Sequence, residues 1–183
     1  MNSAAFSKER FLTLRTMDRD HFWFAGKHRL TRNFLRGEFE PSVGVALDLG
    51  CGPGLQLRTW RGYAQKVIGV DIHATDVPVE NIGDGVSVLV ADVTKLPMDN
   101  CSIDAIFAMD IVEHVPDDLM LAECMRVLRP DGVMIINVPA FQWLWSFRDV
   151  EAGHMRRYTK RGLRELVQRA GFTVSRVTFY QIG

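Results

Sequence analysis

VGVALDLGCGPG, residues 43–54, is a short apolar run that enters a turn with glycine at every second position, Gly50, Gly52 and Gly54. An apolar, β-branched run of this length, bounded by glycine, reads as a buried strand. Glycine lets the backbone turn tightly and lets a ligand approach the chain with no Cβ in the way. A helix start beyond the turn would offer N–H groups to a carboxylate or phosphate. The third glycine falls one residue earlier than in the dinucleotide pattern G-x-G-x-x-G, and Pro53 stands just before it.

Working outward from this turn, strands alternate with helices. KVIGVDI (66–72), VSVLVAD (86–92), SIDAIFAMD (102–110), GVMIINVPA (132–140) and FTVSRVTFY (172–180) read as strands two to six. Residues 8–36 read as helix in two pieces, and LQLRTWRGYA (55–64) as a short helix. PDDLMLAECMRVLRP (116–130) is a helix with Leu121, Met125 and Leu128 at helical spacing, ended by Asp131-Gly132. TKRGLRELVQRAG (159–171) is another, with Thr159 as N-cap and Gly171 just past its end. Alternation of this kind means crossover connections and an α/β fold with a doubly wound, mostly parallel sheet. Ligands of such sheets bind beyond the carboxyl ends of the strands, where strand order reverses.

Those strand ends carry four aspartates besides the turn. Asp48 precedes Gly50, Asp71 ends the second strand, Asp92 the third and Asp110 the fourth. Asp71 lies 19 residues after Gly52, the interval at which an acid accepts from ribose hydroxyls. A carboxylate at Asp92 can accept from an exocyclic amine, and one at Asp110 stands near the middle of the sheet. One such acid is as easily a helix cap; four at one edge of a sheet are hard to assign to capping.

The chain has 183 residues, 47% of them hydrophobic, with 22 Lys+Arg against 22 Asp+Glu. That length suits one domain able to bury roughly 70% of its unfolded surface. We expect residues 1–40 to form a helical lid segment on a 41–183 ligand-binding domain. Zero net charge argues against a nucleic-acid binder. The balance is uneven, because residues 1–36 and 148–183 are basic while 37–147 are acidic. Basic flanks around an acidic centre could close over an anionic substrate. Cys51, Cys101 and Cys124 have no paired spacing, which argues against a disulfide framework or a zinc site and fits a reducing compartment. No leader and no run of 18 apolar residues is visible, so a cytoplasmic location with no transmembrane segment is expected.

DLGCGPG, VIGVDI, ADVTKLPM, DAIFAMDIVEHV and RVLRPDGVMIINVPA, in this order, resemble class I S-adenosylmethionine-dependent methyltransferases. The resemblance covers residue 43 to about 180. HFWFAGKHR (21–29) and HMRRYTKRGLRELVQRAGF (154–172) are more loosely similar to a bacterial subgroup of glycan and small-metabolite pathways. The resemblance implies a Rossmann-like methyltransferase fold, S-adenosylmethionine as cofactor and S-adenosylhomocysteine as product. It places Gly50, Cys51, Gly52 and Gly54 around the methionine and ribose, with Asp48 at the base of the turn. It gives Asp71 the ribose hydroxyls, Ile72 the adenine face, Asp92 and Val93 the adenine edge, and Met109 and Asp110 the methionine end. Sheets of this family end in an antiparallel hairpin with a seventh strand. The chain stops soon after the sixth, so the C-terminal strand is expected to be missing and another chain could complete the edge, as in a homodimer.

Methyl transfer needs an acceptor atom held in line with the methyl, about 3 Å away, and an oxygen or thiol acceptor must also lose a proton. His114 and His154 are the candidate bases. A metal site on Glu113 and His114 is not expected, because no other histidine is near in sequence. Phe141, Trp143 and Trp145, with Trp23 from the N-terminal side, could line a pocket for an apolar or aromatic small molecule. Arg156, Arg157 and Tyr158 could hold an anionic group on it. A cofactor-binding protein without catalysis and a nicotinamide-dependent oxidoreductase are the alternatives.

Overall fold

A computed structural model describes residues 42–74, Val77 and 83–180, together with Gly26, Arg29 and Thr31. Those three isolated residues are helical. The rest of the segment expected to be helical, Trp23 included, lies outside the described residues.

Five strands form one sheet: β1 (Val43–Leu49), β2 (Ala64–Asp71), β3 (Val86–Val90), β4 (Ile103–Met109) and β5 (Leu128–Asn137). Their order is β3-β2-β1-β4-β5 and every pairing is parallel. Chain order reverses between β1 and β4, so the crevice beyond their carboxyl ends is the place for a ligand. Among the described residues four helices accompany the sheet: α1 (Leu57–Trp60), α2 (Asp117–Val127), α3 (Phe147–Ala152) and α4 (Lys160–Arg169).

Period-two alternation along β1 sends neighbouring side chains to opposite faces. Leu47 and Leu49 join Ile106, Met120, Leu121 and Cys124 in one core cluster. Ala46 joins Trp60, Phe107 and Met109 in the other. Trp60 stacks on Phe107 with ring centroids 4.0 Å apart, so the four-residue α1 is fixed by packing rather than by helix propensity.

The architecture is the expected one, and three local readings change. The helix from Asp117 stops at Val127, and Leu128-Arg129-Pro130 already belongs to β5. The carbonyls of Arg126 and Val127 accept from the N–H groups of Cys101 and Ser102. Pro130 has no N–H with which to continue a helix. The expected 55–64 helix shrinks to α1, and β2 begins at Ala64. Residues 172–180 form no strand. Phe172 and Val174 do pack on the first core cluster, so the alternation gave a buried face and no ladder. The alternating aromatics after β5 fold into a 3-10 turn, Gln142–Leu144, and then α3.

Candidate active site

The crevice has two halves. The first lies beyond β1, β2 and β3. Gly50 N–H donates to the Val70 carbonyl at 2.8 Å, folding the turn back over β2. Gly50 has φ +68°, and a Cβ there would stand 2.8 Å from Ile111 Cδ1. At Gly52, φ is +52° and a Cβ would meet nothing within 4 Å, so the turn opens onto space beside bare backbone. Asp71 closes the turn: its Oδ2 accepts from Gly52 N–H at 3.0 Å and its Oδ1 from His73 N–H at 2.8 Å. A carboxylate accepts at about four positions, so Asp71 retains capacity for hydroxyl donors.

Asp48 is 3% exposed. Burial, with the Asp71 charge adding to it, pushes its carboxyl up to about 8. Burial also pushes the Cys51 thiol far above its ordinary value, which removes it as a nucleophile. Ile72 is 56% exposed at the end of β2, whereas Val93 is buried. Asp92 is exposed, and its Oδ1 accepts from both the backbone N–H and the hydroxyl of Thr94. It therefore caps a turn as well as marking the end of β3.

The second half lies beyond β4 and β5. Asp110 adopts φ +58° and accepts from Asn137 Nδ2, while its N–H donates to the Asn137 carbonyl. A left-handed residue without glycine is strained, and strain of this kind clusters at functional sites. It turns the chain into residues 111–115, which are tied to the segment after α3. Met155 N–H donates to the Glu113 carbonyl at 2.8 Å, and Tyr158 OH to the Val112 carbonyl at 3.3 Å. His114 Nδ1 stands 3.1 Å from the Gly153 carbonyl.

Asp149 is the hub of this half. It is 1% exposed and takes Arg157 Nε at 2.7 Å, Arg157 Nη2 at 2.9 Å, Ser146 N–H at 2.8 Å and His154 Nδ1 at 2.8 Å. Burial alone would raise its carboxyl. The hydrogen bonds from Arg157, Ser146 and His154 outweigh that and hold it well below the carboxylate range.

The expected cofactor residues thus gather at one edge. The two histidines also meet, with ring centroids 4.9 Å apart and Glu113 beside them. His154 is distant in sequence, but the 149–158 segment folds over the β4 end and brings its ring beside His114 and Glu113. The expected anion-binding arginines are engaged within the protein. Arg157 holds Asp149 and the Ala140 carbonyl, and Arg156 pairs with Asp117 at 2.7 Å. Tyr158 is buried and donates to the same Asp117. Phe141 is half-buried with its ring on Phe179, while Trp143 is 77% exposed. Trp145 is half-buried. Sequence reading missed Asp149 and set Glu113 aside; the placement of both comes from burial and long-range contacts. The nearest signal was an acid five residues before a histidine, which is too common to single out.

A family profile described as "Methyltransferase domain" matches residues 47–136. A protein of Mycolicibacterium smegmatis described as "Probable S-adenosylmethionine-dependent methyltransferase" is 32% identical over 132 residues, covering 70% of this chain and 51% of that protein. A ubiquinone biosynthesis O-methyltransferase of Rhodopseudomonas palustris is 30% identical over 129 residues, covering 63% and 48%. The chain therefore spans about half the length of these curated relatives. Among solved structures, the [4+2]-cyclase SpnF superposes with a TM-score of 0.66 at 25% identity, over 85% of this chain and 60% of that one. Strand order, glycine turn and relatives agree, and the chain belongs to the class I S-adenosylmethionine-dependent methyltransferases.

Proposed function

We propose that the chain transfers the methyl group of S-adenosylmethionine to a small-molecule acceptor. The observation that carries this is the Asp71–Gly52 hydrogen bond across the turn, with open space at Gly52. Together they make a cradle of backbone dipoles and one carboxylate, suited to a ligand with a ribose and a cationic centre. When bound, the cofactor supplies an electrophilic methyl on a sulfonium. The chain's own residues bind and orient it. The 50–54 turn takes the methionine and ribose with Asp48 beneath. Asp71 takes the hydroxyls, Ile72 and Val93 the adenine, Asp92 its amine, and Met109 and Asp110 the reacting end. The 110–114 and 149–158 segments hold the acceptor, and the exposed Trp143 and Phe147 offer apolar surface beside them. Residues 1–40 act as a lid.

Calorimetric titration with S-adenosylmethionine, S-adenosylhomocysteine and NADH tests the reading. We expect binding of the first two and at least a 30-fold loss in Asp71→Ala. That corresponds to about 2 kcal/mol, as for a buried charged hydrogen bond. Binding of NADH alone would overturn it. The similarity to SpnF favours one second reading, a cofactor-binding enzyme that does other chemistry. Turnover of methyl-labelled cofactor with hydroxylated acceptors separates the two. No helix among the described residues is long and apolar enough to cross a membrane. A homodimer through the outer edge of β5 is checked by light scattering at two concentrations.

A further inference from the structure

We propose that Glu113, His114 and His154 form a divalent-cation site at the acceptor end of the crevice. One ligand atom from each lies within 4.8 Å of the other two. Donors on a first-row ion sit about 2.0–2.2 Å from it, hence about 3–4 Å from each other. A modest inward movement of the two half-buried rings would close the set.

The protein sets the tautomers this needs. His154 Nδ1 faces Asp149 Oδ1 at 2.8 Å, and His114 Nδ1 faces the Gly153 carbonyl at 3.1 Å. A carbonyl oxygen and an ionised carboxylate only accept, so each Nδ1 carries the proton and each Nε2 the lone pair. A carboxylate or carbonyl behind the far nitrogen is the usual support for a metal-bound imidazole. His154 Nε2 stands 3.9 Å from Glu113 Oε1, so both point to one place. The Glu113 side chain is 1% exposed, so its position is fixed by the packing around it.

The support is itself rigid. Arg157 grips Asp149 through two hydrogen bonds, and His114 and Glu113 belong to the turn that Asp110 forces. Ile111, packed on Gly50, places the cluster next to the glycine turn. Two imidazoles and one carboxylate leave open positions on an ion, and they suit Zn²⁺ or Mn²⁺ better than Mg²⁺, which prefers oxygen ligands. The use of the site rests on the methyltransferase reading. An ion here binds an acceptor hydroxyl at an open position and lowers its pKa, and the proton leaves to solvent. The acceptor class is then a hydroxylated small molecule.

The test is calorimetry on the full chain after chelator treatment, titrated with Zn²⁺, Mn²⁺ and Mg²⁺ and, on the same samples, with S-adenosylmethionine. We expect one ion per chain, Zn²⁺ tightest and Mg²⁺ weakest. His114→Ala and His154→Ala should abolish binding, and Asp149→Asn should weaken it 10- to 100-fold. Cofactor affinity should stay within twofold in the histidine variants. Glu113→Gln is checked by circular dichroism first; should it not fold, the two histidine variants carry the test. No saturable ion binding, or binding that survives both histidine replacements, overturns the site. Ion binding without cofactor binding would leave the site standing and sink the methyltransferase reading, and the reverse pattern would do the opposite.

Discussion

Two buried aspartates, one in each half of the crevice, answer burial in opposite ways. Asp48 lies beneath the glycine turn, 3% exposed, and burial pushes its carboxyl up to about 8. Asp149 lies behind His154, 1% exposed, and its donors hold it well below the usual range. The first half is built from backbone and leaves its acid poorly compensated. The second is built from side chains that neutralise theirs. A bound cation can act on the first half through charge, whereas the second is already a closed ion-pair network whose product is the orientation of one imidazole.

The sharpest way to break that contrast is Asp149→Asn. It leaves the Arg157 guanidinium, 17% exposed, without its carboxylate, and removing one partner of a buried pair costs about 3 kcal/mol or more. Because the folded pKa of Asp149 is depressed, its contribution is present above the ordinary carboxylate value, about 4, and is lost as pH falls through the folded value. Urea titrations should therefore show a large gap between wild type and variant at pH 7 that narrows below pH 4. A gap independent of pH would mean that the carboxylate charge does not hold the network.

Asp48→Asn should show the opposite slope and a smaller effect. A raised folded pKa gives a contribution present below about pH 4 and lost as pH rises through about 8. Without ligand, the variant should match wild type near pH 4 and exceed its stability at pH 9. Saturating S-adenosylmethionine should shrink that advantage, because a cationic ligand stabilises the ionised Asp48. An advantage unchanged by ligand would remove Asp48 from the cofactor half.

These two halves were not equally readable from the chain. The first is local: an apolar run, glycines at fixed spacing and an acid 19 residues on are visible in a linear string because each element follows its strand directly. The parallel α/β sheet followed from alternation, and β1 to β4 came within two residues of their bounds. The second half depends on contacts of large sequence separation. His114 and Gly153 are 39 residues apart, and Tyr158 and Asp117 41 apart. No periodicity encodes such pairs, so neither the partners of Arg156 and Arg157 nor the burial of Asp149 could be read from the string. The same limit explains Leu128–Pro130. Helical spacing extended through them, and the capture of the last carbonyls by Cys101 and Ser102, with Pro130 just beyond, ends α2 at Val127.

The smallest expected effect joins a local feature to the non-local half. Thr159 caps α4, its Oγ1 accepting from Gly162 N–H at 3.0 Å, as the sequence foretold. Thr159→Ala should cost about 1 kcal/mol, roughly 2–4 °C in melting temperature for a chain this size. Thr159 directly follows Tyr158, whose N–H donates to the Pro139 carbonyl at 2.9 Å and whose hydroxyl donates to Asp117 and the Val112 carbonyl. Those bonds anchor the segment carrying His154 independently of the helix behind it. Scanning calorimetry should show the small shift, while ion affinity of the variant stays within twofold of wild type. A tenfold loss of ion affinity with the same small shift would show that α4, rather than the Arg157–Asp149 grip, sets the position of His154.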